Sequence, residues 1–140
     1  MPFREKSAWA MIAILLSAGA FYFQKIIALS LAAGETAPPV VPLVIAYVIF
    51  IIIASIIIMP MVAASSGREA NAPADEREEI ILAKAGNWSG YALGFAAVAG
   101  LFHYVWLGDG NLLFHIVFAG LMLSQIAEYG FQIWLFRRGV

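Results

Sequence analysis

Between Val40 and Ala64 the chain reads VVPLVIAYVIFIIIASIIIMPMVAA, and Tyr47 and Ser55 carry its only polar side chains. A helix rises about 1.5 Å per residue, so this stretch is long enough to cross the roughly 30 Å hydrocarbon core of a bilayer. The β-branched runs Ile51-Ile52-Ile53 and Ile56-Ile57-Ile58 are tolerable in a lipid-embedded helix, whose backbone has no water to bond instead. Pro60 removes a backbone donor and crowds the carbonyl four residues earlier, which predicts a kink in the last turn.

The flanks repeat the signal. Before Val40, Gly34-Glu35-Thr36-Ala37-Pro38-Pro39 turns the chain, and an apolar stretch from Ala8 to Ala33 precedes that turn. It is too long for the roughly 7–15-residue apolar region of a secretory signal peptide and lacks the small-residue cleavage site, so it reads as a full span. After Ala64 comes the one extended hydrophilic segment, Ser65 to Glu79. Gly67 and Pro73 keep its first half irregular. Asp75 then offers a helix cap, Glu78 stands at the capping-box spacing, and Glu76, Glu78 and Glu79 place negative charge at the dipole's positive end. A helix start near Glu76 is expected to run into a third span over 87–107. Gly108-Asp109-Gly110-Asn111 is a tight turn by composition, and a fourth span occupies 112–136.

The expected architecture is therefore all-α: one integral-membrane four-helix bundle over residues 1–140, with spans at 8–33, 40–64, 87–107 and 112–136 and a connection at 65–86. Composition agrees, with 63% hydrophobic and 12% charged residues, against roughly a quarter charged in soluble domains. Arg4, Lys6, Arg68, Arg77, Lys84, Arg137 and Arg138 all fall at one end, and the two opposite connections hold no Lys or Arg. The positive-inside rule then makes both termini and 65–86 cytoplasmic. Trp9, Trp88, Trp106 and Trp134 stand near span ends, where amphipathic rings settle at the headgroups.

A net charge of −1 with no clustered basic face argues against nucleic acid as a partner. The chain has no cysteine, which excludes disulfides and thiolate chemistry. It contains no nucleophile elbow, phosphate loop, zincin motif or Asp-rich metal cluster. No enzymatic activity, metal or cofactor is expected.

The residues that invite a role are few. Gln125, Glu128 and Gln132 recur at i, i+3 and i+7, a polar stripe that must face protein or water rather than lipid. Glu128 falls only about 6 Å from mid-span, where an unpaired carboxylate costs about 2.5 kcal/mol or more. It is either a proton or cation site or a structural group, hydrogen-bonded to Asn87, Trp88 or Ser89 or paired with Lys84 or an N-terminal cation. Gly86, Gly90 and Gly94 share one face of the third span, and Gly120 and Ser124, with Ala119 and Ala127, offer a small face on the fourth. Such faces serve helix packing within one chain or a homo-oligomer seam. Lys25 lies about 8 Å toward the outer side of its span, from where an ammonium can reach the headgroups. His103 and His115 flank the outer turn and leave a haem or metal pair open.

Asp75-Glu76-Arg77-Glu78 followed by Ile80, Lys84-Ala85 and Tyr91, together with Glu128 and the ending Arg137-Arg138-Gly139, resembles a family of small uncharacterised four-span bacterial inner-membrane proteins over the C-terminal half. The resemblance implies a bacterial inner membrane and a four-helix fold, with no catalytic residues. By analogy with members that accompany small cytoplasmic regulators, Asp75, Glu76, Arg77, Glu78 and Glu79 become docking candidates for a cytoplasmic protein. The leading expectation is a non-enzymatic membrane protein that acts through contacts, with itself or with such a partner. The alternatives are a proton, cation or hydrophobic-cation transporter subunit using Glu128, and a haem or metal protein using His103 and His115.

Overall fold

The computed structural model describes residues 2–139. Four helices, α1 (Phe3–Ala33), α2 (Val41–Ala64), α3 (Glu76–Leu107) and α4 (Gly110–Arg138), follow one another, with a 3-10 turn over Gly67–Asn71 between the second and third. Each of the four is long and apolar enough to cross a membrane. At about 1.5 Å per residue, the 24 residues of α2 and the 32 of α3 correspond to about 36 and 48 Å. The longer helices therefore extend beyond a hydrocarbon core of about 30 Å.

The extra length lies at the end that carries both termini, here the terminal end. α1 begins at Phe3 rather than Ala8 and takes in Arg4, Glu5 and Lys6, with Glu5 in its first turn and Ser7 Oγ donating back to the Phe3 carbonyl at 2.9 Å. α3 begins at Glu76 and runs unbroken through the expected span. Asp75 Oδ1 accepts from the Glu78 N–H at 2.7 Å and Glu78 Oε2 accepts from the Asp75 N–H at 3.3 Å, the reciprocal capping box. The segment expected to be irregular between Ser65 and Pro73 instead forms the 3-10 turn, entered through Gly67 at φ +58°.

At the opposite, loop end, α1 stops at Gly34 (φ +72°), whose N–H reaches the Ser30 carbonyl, and α3 stops at Gly108 (φ +67°), whose N–H reaches Tyr104. Both glycines hold the left-handed conformation that a side chain resists. Asp109 then caps α4, accepting from the Leu112 N–H at 3.0 Å.

The helices do not close into the expected bundle. α1 packs on α2 and α4, and α3 lies along α4, meeting α1 through the Arg4–Glu78 ion pair at its start, which gives a row in the order α2–α1–α4–α3. The short turns at the loop end hold α1 to α2 and α3 to α4. The longer connection at the terminal end leaves α2 and α3 free to lie at the two edges. The α1–α4 seam is tight at Gly19, where a Cβ would run into the Met122 side chain. Ala18, Tyr22, Ile26, Tyr47 and Met122 form the main buried cluster, and Ile81, Ala85 and Leu135 form a second one at the terminal end.

Candidate functional site

The geometry around Glu128 follows from the α3–α4 contact. Ser89 is buried against α4 and its Oγ lies 3.4 Å from Glu128 Oε2, while also donating to the Gly86 carbonyl at 2.9 Å. Helices advance about 100° per residue. On α3, Gly86, Gly90 and Gly94 therefore lie about 60–140° to one side of Ser89, and Trp88 about 100° to the other. On α4, Gln132 and Gln125 lie about 40° and 60° to one side of Glu128, and Phe131 and Trp134 to the other. Trp88 meets Phe131 and Trp134, with ring centroids 5.3 and 5.9 Å apart. The tryptophan side of α3 is thus the Phe131 side of α4, and the three glycines share the opposite side of the row with Gln125 and Gln132.

α2 belongs to that same side. Tyr47 packs on Phe118, centroids 5.2 Å apart, and Phe118 points about 80° from Glu128 in the direction of Gln125. The row therefore curls toward the polar stripe, with α2 and α3 as its edges. Along the stripe Gln125 is exposed, Glu128 half-buried and Gln132 buried. Of the three hydrogen-bond partners foreseen for Glu128, Ser89 stands within reach, its one proton shared with the nearer Gly86 carbonyl.

The small residues divide by function. Gly120 faces Ala96 so closely that a Cβ there would collide with it, and a Cβ on Gly100 would sit 3.2–3.3 Å from Leu113, Ile116 and Val117. These two glycines bring α3 and α4 together, with Ser124 buried and bonded to the Leu121 carbonyl at 2.9 Å. Gly86, Gly90 and Gly94 take no part: a Cβ on any of them meets nothing within 4 Å.

The acidic start of α3 is largely engaged. Arg4 Nε donates to Glu78 Oε2 at 2.7 Å, the oxygen that also completes the capping box. Phe3 N–H reaches Glu69 at 3.1 Å, Lys6 reaches Ser66 at 3.3 Å, and Arg77 Nη2 donates to the Phe136 carbonyl at 3.3 Å. Buried Glu5 accepts from Arg137 Nε at 2.8 Å. The two chain ends and the connection are thereby tied together, leaving Glu76 and Glu79 exposed. Glu5 and Arg4 were assigned no ion-pair partner from the sequence. Their opposite-charge partners lie 132 and 74 residues away, beyond any local pattern.

At the loop end His115 is buried between α1 and the 34–40 turn. Its Nε2 lies 2.9 Å from the Ala37 carbonyl, which can only accept, so Nε2 carries the proton and donates. Nδ1 is then the acceptor for the Tyr22 hydroxyl at 3.3 Å. Asn111 adds a bond to the Thr36 carbonyl at 3.2 Å. Asp109, outside the span, has its carboxyl held below the usual range, first by the Leu112 N–H and then by the Thr36 hydroxyl. His103 is exposed on α3. Among the described residues no three His, Asp or Glu side chains gather where a metal could be shared. Both His115 nitrogens are already used in fastening the turn. Lys25 is exposed, its Nζ 5.9 Å from the Phe21 ring.

Fold and site together define an all-α chain of four membrane-length helices in a curled row, with a polar stripe and an open glycine face on one side. No protein-family model, curated protein or solved structure matches it.

Proposed function

We propose that the protein is a non-enzymatic, multi-pass membrane protein that works by pairing with a second copy of itself through the glycine side of α3. The observation that carries this reading is that Gly86, Gly90 and Gly94 have open space beside them while Gln125 stands exposed on the same side of the row. Small residues let a second backbone approach closely. A glutamine amide both donates and accepts, so two copies related by a twofold axis satisfy each other where lipid cannot. The basic bias of one end supports both termini in the cytoplasm, and the resemblance of the C-terminal half supports a bacterial inner membrane. Docking of a cytoplasmic protein on 75–79 has less to stand on. Asp75 and Glu78 are occupied within the chain, and only Glu76 and Glu79 present free acidic side chains.

The test is Förster transfer between labelled copies in liposomes on lipid dilution, for wild type and Gly90→Leu. Wild type should pair and the variant should dissociate with unchanged helical circular dichroism. Monomeric wild type, or pairing indifferent to Gly90→Leu, would overturn the proposal.

One observation favours a second reading, proton or cation passage. Glu128 has the Ser89 hydroxyl beside it at 3.4 Å and, among the described residues, no basic side chain paired with it. Equal proteoliposome flux from wild type and Glu128→Gln would dismiss that reading.

A further inference from the structure

On the face of the row opposite the glycines, a groove of about 500 Å³ runs between Ile12 of α1 and Trp88 of α3, floored by Ile126, Gly130 and Phe131, with Trp134 lining its terminal end. Its lining is apolar apart from the two indole N–H groups, and a Cβ on Gly130 would meet nothing within 4 Å, so that glycine deepens the floor. The size lies within the roughly 300–1,000 Å³ of ligand sites.

Charge segregates around its mouth. Arg138 stands one helical turn beyond Trp134, its guanidinium 4.5 Å from that ring. Lys84 stands one turn beyond Trp88 on the same face of α3, about 6 Å nearer the terminal end. Both cations are exposed, and among the described residues neither has a carboxylate partner. The neighbouring Arg137, over the Trp9 ring at 5.9 Å, is neutralised by Glu5. The exposed carboxylates Glu76 and Glu79 lie about 140° and 80° from Ser89 on the glycine side, away from the groove.

We propose that this groove binds one anionic phospholipid, its acyl chain along Gly130 and Trp88 and its phosphate between Lys84 and Arg138. The inference rests on the chain lying in a bilayer, not on self-association. An apolar slot suits an acyl chain equally in any phospholipid; the two cations at its mouth, paired with no carboxylate among the described residues, select a net negative headgroup. Basic pockets between membrane helices on the cytoplasmic side are a known means of holding such lipids.

The experiment uses full-length protein carrying Trp9→Phe and Trp106→Phe, so that Trp88 and Trp134 report. It is reconstituted in phosphatidylcholine vesicles containing increasing brominated phosphatidylglycerol or, separately, brominated phosphatidylcholine. Half-maximal quenching is expected at a several-fold lower mole fraction of the anionic lipid. Lys84→Gln with Arg138→Gln should abolish that preference while retaining quenching. Gly130→Leu, at a position where a Cβ meets nothing within 4 Å, places its side chain in the slot and should weaken quenching by both lipids, with helical circular dichroism and pairing unchanged. Equal quenching by the two lipids in the unsubstituted background, or a preference that survives removal of both cations, would overturn the proposal. Failure of self-association alone would leave these results unaltered.

Discussion

Replacing Gly120 by alanine should destabilise the chain, whereas the same change at Gly94 should not, although both glycines lie inside long membrane helices. Intrinsic propensity treats the sites alike, since alanine is favoured over glycine in a helix by about 0.5–1 kcal/mol. The difference comes from packing. A Cβ on Gly120 collides with Ala96, which has no flexible end to move aside, so α3 and α4 must separate along their whole contact. Overpacking of this kind costs about 1–3 kcal/mol, and close packing of small residues is what holds membrane helices together. A Cβ on Gly94 meets nothing within 4 Å. The two variants should therefore differ by about 1–3 kcal/mol, at tenfold in the folded ratio per about 1.4 kcal/mol. Denaturant-driven unfolding in mixed micelles, under dilute conditions where the chain is monomeric, measures that difference. Equal responses, or a larger loss at Gly94, would refute the assignment of Gly120 to the seam and of Gly94 to the open face.

His115→Phe conserves a ring but strips partners from the buried Ala37 carbonyl and the Tyr22 hydroxyl. At about 1–3 kcal/mol for each orphaned group, a loss of about 2 kcal/mol or more is expected in thermal unfolding, with faster amide exchange over 34–40; unchanged exchange there would count against the fastening role. Asp109 has a depressed folded pKa, so its contribution is present above the ordinary carboxylate value near about 4 and is lost as pH falls through the lower folded value. Asp109→Asn keeps a capping oxygen but cannot titrate, and it should flatten the fall of melting temperature between about pH 5 and 3. A slope identical to wild type would place the acid sensitivity elsewhere.

The four spans, their turns and the capping box of Asp75 and Glu78 were legible in the sequence because each depends on neighbours in the chain. Hydropathy over about 20 residues decides a span, and a Gly or Asp at a helix end acts on backbone groups within four positions. The polar stripe of α4 was legible for the same reason, through the spacing of Gln125, Glu128 and Gln132. What lay across from it was not. Gly86, Gly90 and Gly94 carry the most regular small-residue spacing in the chain, yet the α3–α4 seam uses Gly100 and Gly120, because the rotation of each helix about its axis decides which face is covered.

Periodicity places residues on a common face of a helix but carries no information about the direction of that face in the assembly. The sequence by itself determined an all-α chain of four membrane-length helices and which end collects the charge. Tertiary structure alone decided that the helices form an open row rather than a closed bundle. It also decided that His115 is committed to the Ala37 turn, and that Arg4, Glu5, Glu78 and Arg137 close the terminal end. Those pairings join residues 74 to 132 positions apart, and at such separations only the packing of whole helices determines which groups come within reach.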